Sequence, residues 1–249
     1  MRAHTAIVTG GSRGIGRAVV ERLRREGARV LTCGRGERPG DLPEEVLWTR
    51  ADISRVTDAE RVLAEANSAF GPVSLLVNNA GTQITKTVQD TTDEEWELVV
   101  GANCRGVFHT CRAVLPQMTE HGGVIVNIGS ISGTAADPSM ALYNASKAFV
   151  HGLTRSIAVD HGPQVRCNAV QPGWIMTGMA EDGFALARDP GAARRDALAR
   201  HPVGRFGEPA DVANTVAWLA SDESRYVTGQ CFTVDGGLTA ASPLNPGLL

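Results

Sequence analysis

The sequence predicts an α/β fold: one doubly wound parallel sheet of about seven strands with helices on both faces. Three observations predict it. Short apolar runs such as residues 5–9, 73–77 and 124–128 lack the alternation of a half-exposed strand, so they read as strands buried on both sides. Between them lie longer stretches whose apolar residues recur at near-helical spacing. No linker, repeat or low-complexity segment divides the chain, so residues 1–249 are expected to form a single domain with room for a substantial core.

Taken in order, the first strand is Thr5-Ala-Ile-Val-Thr9. It is followed at once by Gly10-Gly-Ser-Arg-Gly14-Ile-Gly16 and a helical pattern from Ala18 to Glu26. Strand, glycine-rich turn and helix in that order suit a bound phosphate: glycines let the backbone come close, and free N–H groups at a helix start favour negative charge. A plain turn is the alternative reading. Residues 28–33 form a second strand ending at Gly34-Arg35, with no acidic residue at positions 33 to 36. An acid there would bind an adenosine ribose, whereas Arg35, with Arg13 in the glycine turn, can pair with a 2′-phosphate. Two solvated surface arginines are the simpler alternative. Residues 36–45 read as an irregular connection, from which Glu37 could also reach a ribose.

The pattern continues with a strand at 46–49, Asp52 just after it, and a helix from Val56 to Phe70. The buried strand Val73-Ser-Leu-Leu-Val77 ends in the polar turn Asn78-Asn-Ala-Gly81, at a strand end where open α/β sheets place ligands. Glu94 to Met118 reads as one long helix ended by Gly122-Gly123. Asn103 sits midway and is locally unfavourable, which marks either a functional position or an exposed side chain. After the strand Val124–Ile128 and the turn Gly129-Ser130-Ile-Ser-Gly133 comes a helix from Met140 to about His161. It carries Tyr143-Asn-Ala-Ser-Lys147, two side chains one turn apart and on one face. An ammonium beside a phenol favours the phenolate, which suits acid/base work near neutral pH, although such a pair also arises by chance on surface helices. A strand at 165–170, the turn Gln171-Pro-Gly-Trp174, a helical region from Gly178 to about Arg200, a helix from Pro209 to Leu219 and a strand at 230–234 complete the pattern.

Composition narrows the function. With 43% hydrophobic and 20% charged residues, a net charge of -3 and a pI near 6.1, the chain carries no basic footprint for nucleic acid. No apolar run is long enough to span a bilayer, and Met1-Arg-Ala-His-Thr5 does not read as a signal peptide, so a cytoplasmic protein is expected. Cys33, Cys104, Cys111, Cys167 and Cys231 are scattered, as are the six histidines; buried thiols and no metal site are expected.

Taken together, these stretches resemble the short-chain dehydrogenase/reductase family, including its 3-oxoacyl-carrier-protein-reductase-like members, over nearly the whole chain. Thr9-Gly-Gly-Ser-Arg-Gly-Ile-Gly16 is similar to the family's cofactor loop, Asn78-Asn-Ala-Gly81 to its central-strand motif, and Tyr143-x-x-x-Lys147 to its catalytic signature. Ser130 precedes the tyrosine at the family's spacing, and Asn103 stands where the family has a fourth catalytic residue. Pro172-Gly173 with Thr177, Arg205-x-Gly207-x-Pro209 and Val234-Asp-Gly-Gly237 match later landmarks.

The resemblance implies a Rossmann-like fold and hydride transfer between NADP(H) and a ketone or secondary alcohol. Tyr143 would be the acid/base, Ser130 would hold the carbonyl oxygen, and Lys147 would bind the nicotinamide ribose and lower the tyrosine pKa. Asn103 would anchor a water on the proton path. The implied cofactor contacts are Gly10, Ser12, Arg13, Gly14, Ile15, Gly16, Arg35, Asp52, Ile53, Asn78, Asn79, Ala80, Gly81, Pro172, Gly173, Ile175 and Thr177, besides Tyr143 and Lys147. Arg13 and Arg35 favour NADP(H), and the short loop after Arg35 keeps NAD(H) possible.

The segment from 178 to about 205 would form a lid. Met179 and Phe184 from it, with Ile131, Met140, Leu142 and Trp174, would line a mostly apolar pocket for a small or medium ketone around Ser130 and Tyr143. The tail Ser242–Leu249 would pack on a neighbouring subunit of a homotetramer or homodimer. An NAD-dependent dehydrogenase of a hydroxylated metabolite and a non-catalytic nucleotide-binding module are the competing readings.

Overall fold

A computed structural model describes residues 4–241, and the tail lies outside them. All seven strands run parallel in the order β3-β2-β1-β4-β5-β6-β7. They are β1 (Thr5–Thr9), β2 (Arg29–Gly34), β3 (Leu47–Arg50), β4 (Leu75–Asn78), β5 (Gly123–Ile128), β6 (Val165–Pro172) and β7 (Cys231–Val234). The helices are α1 (Gly14–Arg25), α2 (Val56–Phe70), α3 (Asp93–Val100), α4 (Gly106–His121), α5 (Ala141–His161), α6 (Gly178–Ala185), α7 (Pro190–Ala199) and α8 (Pro209–Ala220).

Alternation along the buried strands sends neighbouring side chains into two separate cores. On β1, Ala6 and Val8 join Val19, Val20 and Leu23 of α1 and Val212, Val216 and Leu219 of α8. Ile7 points the other way, toward Val62 of α2, Val107 and Val114 of α4, and Val150 and Ile157 of α5. Removing each such aliphatic side chain from water contributes roughly 1.5–3 kcal/mol, so the two layers clamp the sheet from both sides.

The strand order reverses between β1 and β4, and a crevice opens there at their C-terminal ends. The glycine-rich turn leaves β1 and the Asn78-Asn79-Ala80-Gly81 turn leaves β4, so the two motifs become neighbours through pairing of distant segments. Three sequence expectations change. First, α1 begins at Gly14 rather than Ala18: Gly14 at φ +58 closes the glycine turn, and the helix runs on directly from it. Second, the expected single helix over 94–118 is α3 and α4 joined by a π-helical turn at Gly101–Arg105. Asn103 causes the break's usefulness: buried, it turns its amide away from the helix to clamp the loop at Thr82. Third, the helical region after Gly178 is two helices, because Asp189 caps α7 through Ala192 N–H at 2.9 Å and Pro190 starts it. No residue of α7 is buried.

Candidate active site

The crevice is a cleft of about 1110 Å³ that runs from the end of β2 to the lid helices. Its floor is stitched by side chains of the turns themselves. Thr9 Oγ1 accepts N–H bonds from Asn79 and Ala80 at 3.0 Å, and Asn79 Nδ2 donates to the carbonyls of Thr9 and Gly10, also at 3.0 Å. Gly10 at φ +71 and Gly14 at φ +58 adopt conformations that side chains oppose. The resulting concave backbone, followed by the free N–H groups at the start of α1, suits a pyrophosphate.

The cofactor end fits a dinucleotide phosphate on this structure's own features. Arg13 and Arg35 are exposed, line the cleft, and form no ion pair with any described residue. Glu37, in contrast, pairs with Arg50 at 2.7 Å and does not line the cleft, so the reading of Glu37 as a ribose ligand gains no support. Ser12, Ile15, Asp52, Ile53, Asn79, Ala80, Gly81, Pro172, Gly173, Ile175 and Thr177 all line the same cleft. Asp52 is held in place by Ser54, whose hydroxyl donates to Oδ1 at 2.7 Å. Pairing of β6 with β7 brings Pro172 and Gly173 to the crevice from far along the chain.

At the inner end, Ser130 leaves β5 while Tyr143 and Lys147 project from the first two turns of α5. Lys147 Nζ donates to the Ile128 carbonyl at 2.9 Å and lies 5.4 Å from the centroid of the Tyr143 ring. Burial pushes the Lys147 ammonium down to about 8. Burial also pushes the Tyr143 phenol above its ordinary value, a hydrogen bond with Ser130 opposes that rise, and the carboxylate of Asp137 adds to it. Burial sets the direction for Tyr143, and the lowering expected from Lys147 is not among the causes of that shift.

Other expectations are corrected by position. Gly16 does not line the cleft; a Cβ there would collide with Asn79 Nδ2 and the Gly10 carbonyl, so this glycine lets α1 pack against the floor. Asn78 faces the interior, donating to Asn127 Oδ1 at 2.9 Å and accepting from Thr110 Oγ1 at 2.6 Å. Asn103 also stays out of the cleft, with Nδ2 donating to the Thr82 carbonyl and Ser146 Oγ and Oδ1 accepting from Thr82 N–H at 2.8 Å. Both polar atoms of its side chain are thus engaged within the protein, which makes it a positioning residue rather than a water ligand through that side chain.

Of the expected pocket residues, Ile131, Met140, Trp174 and Met179 line the cleft. Leu142 is buried elsewhere, and Phe184 is turned into the base of the lid, stacked on Trp174 at 4.7 Å and tilted against Phe206 at 5.7 Å. Phe184 props Trp174 instead of meeting a ligand. Ser132 and Asp137, which no motif in the sequence marks, also line the cleft beside the catalytic set.

The match to known proteins decides the family. A family model described as Enoyl-(Acyl carrier protein) reductase covers residues 10–239. An NADP-dependent (R)-specific alcohol dehydrogenase of Lentilactobacillus kefiri is 37% identical over 96% of this chain and 98% of its own. The chain belongs to the short-chain dehydrogenase/reductase family. The 3-oxoacyl-acyl-carrier-protein reductase of Staphylococcus epidermidis is likewise 37% identical over 94% of this chain and 98% of its own. The ligand-free aldohexose dehydrogenase of Thermoplasma acidophilum superposes with a TM-score of 0.90 at 33% identity, covering 96% of this chain and 95% of that one. This family member is an NAD(P)-dependent oxidoreductase acting on CH–OH groups. Among the described residues no helix is long and apolar enough to cross a membrane, and no three His, Cys, Asp or Glu side chains gather as a metal site.

Proposed function

We propose that this chain is an NADP(H)-dependent carbonyl reductase and alcohol dehydrogenase of the cytoplasm, working in the direction of reduction on a small or medium, largely apolar ketone. The observation that carries the reading is the convergence of Ser130, Tyr143 and Lys147 at one end of a cleft whose other end holds the glycine turn and two arginines that pair with no acid among the described residues. Arg13 and Arg35 would hold the 2′-phosphate, the glycine turn the pyrophosphate, and Lys147 the nicotinamide ribose hydroxyls. When bound, the nicotinamide supplies or accepts the hydride.

Ser130 donates a hydrogen bond to the substrate oxygen and holds it at Tyr143, where negative charge grows as the carbonyl is reduced. The raised pKa of Tyr143 keeps its proton on the phenol at neutral pH, so it serves as the acid that protonates the forming alkoxide. In oxidation the same oxygen takes the proton back. The apolar side chains of Ile131, Met140, Trp174 and Met179 exclude water around the reacting carbon.

Turnover of a panel of ketones and secondary alcohols, followed by nicotinamide absorbance with NADPH, NADH and their oxidised forms, tests this reading. Tyr143→Phe should lower kcat by about 10³-fold or more while NADPH binding is retained. Near-normal turnover in that variant would overturn the assignment of the acid.

A further inference from the structure

We propose that Asp137 is a substrate-recognition group that selects ketones and alcohols bearing a hydrogen-bond donor, a hydroxyl or a protonated amine, within a few bonds of the reacting carbon. The inference rests on the ketoreductase reading of the same cleft and names its substrate class. Asp137 lines the cleft together with Ser130, Ser132, Pro138, Met140 and Tyr143. Its carboxylate is fixed rather than free. Ser132 Oγ donates to Oδ2 at 2.7 Å and accepts from Ser130 Oγ at 3.1 Å, a bond that Ser130 gives up when its one hydroxyl proton turns to the substrate oxygen, so the carboxylate and the serine that faces the carbonyl share one hydrogen-bonded line. The backbone is anchored too, because Asn144 on α5 donates to the Asp137 carbonyl at 3.0 Å. Oδ1 accepts no hydrogen bond from any described residue, and it is not among the atoms sealed from solvent.

No cation answers this charge. Among the described residues Asp137 forms no ion pair, Arg105 of the cleft is held by Glu97 at 2.9 Å, and Lys147 donates to Ile128. Arg13 and Arg35 stand at the glycine turn and the end of β2, the far end of the cleft. Ile131, Met140, Trp174 and Met179 give the substrate end apolar wall, and Gln83, Thr85, Glu94 and Glu97 line the same cleft. A carboxylate held in place beside apolar side chains, with one oxygen open, rewards a donor on the substrate and repels an anion. The electrostatic influence of Asp137 on Tyr143 shows that the two groups share one environment. The substituent it would meet therefore belongs to the same molecule as the carbonyl at Tyr143, not to a distant ligand.

The test compares kcat/KM of the NADPH-loaded enzyme for matched ketones of equal length carrying an amine, a hydroxyl, a methyl group or a carboxylate beside the carbonyl. Wild type should favour the amino and hydroxy ketones over the alkyl ketone by roughly 10- to 100-fold and disfavour the keto acid. In Asp137→Asn and Asp137→Ala the amino-to-alkyl ratio should fall at least about 10-fold and the keto acid should gain relative to the alkyl ketone. Binding of an unreactive alkylammonium to the NADP⁺-loaded protein, followed by calorimetry, should weaken in parallel. Unchanged ratios in both variants, or a wild type that prefers the keto acid, would overturn the assignment while leaving the ketoreductase reading intact. A wild type that turns over no member of the panel with either nicotinamide would instead overturn that reading, and this one with it.

Discussion

Lys147 is the residue where function and stability pull hardest in opposite directions. Burial brings its pKa down to about 8, whereas an unfolded lysine titrates near 10.4. Below pH 8 both states bind the proton; between the two values the unfolded state binds more, so stability rises with pH there. Lys147→Met removes that slope. Wild type should therefore gain on the variant between pH 8 and about 10.4, by on the order of 3 kcal/mol in all, as measured by urea unfolding at several pH values. A pH-independent difference would refute a buried, depressed lysine. Arg35 belongs to the same scale. It forms no ion pair with a described residue, so Arg35→Ala should weaken NADPH binding about 10- to 100-fold and NADH binding little. A wild type that binds NADH more tightly would remove Arg35 from the phosphate site.

Among elements, the α3–π–α4 segment is the one whose irregularity has a task. Thr92 and Glu95 form a capping box that fixes its start, and Asn103 fixes the loop above it through two hydrogen bonds to Thr82 while a third ties it to Ser146 of α5. That loop carries Thr82 and continues into the cleft wall at Gln83 and Thr85. Asn103→Ala leaves the half-buried backbone N–H and carbonyl of Thr82 without partners and should cost about 1–3 kcal/mol of stability. It should also lower kcat, because the wall beside the nicotinamide end loses its register. Denaturant unfolding with steady-state kinetics checks both, and a variant as stable as wild type would show that the clamp is dispensable.

For the molecule as a whole, the outer faces of α3, α4 and α5 leave large apolar side chains in water. Trp96 is 51% exposed, Phe108 43% and Phe149 40%. We infer that these faces meet in a homotetramer or homodimer, since association is what would take such large apolar side chains out of water. Phe149→Glu should shift the protein to a smaller species in sedimentation velocity, and a wild type that sediments as a monomer would exclude the assembly.

The sequence by itself determined the parallel sheet and the principal polar residues, because both leave local marks. Doubly buried strands read as unbroken apolar runs, glycines announce a tight turn, and Tyr143 and Lys147 share a helix face by spacing alone. What lies between distant segments emerges when the elements pack. Periodicity does not distinguish an asparagine that caps a remote loop from one in solvent, so Asn103 stayed ambiguous until Thr82 and Ser146 were seen beside it. Phe184 reads as apolar either way, and its stacking on Trp174 is what removes it from the pocket. Asp137 carries no spacing signal at all. Its place in the cleft and the burial that sets the pKa values of Tyr143 and Lys147 depend on how the packed elements exclude water, which no single stretch of chain encodes.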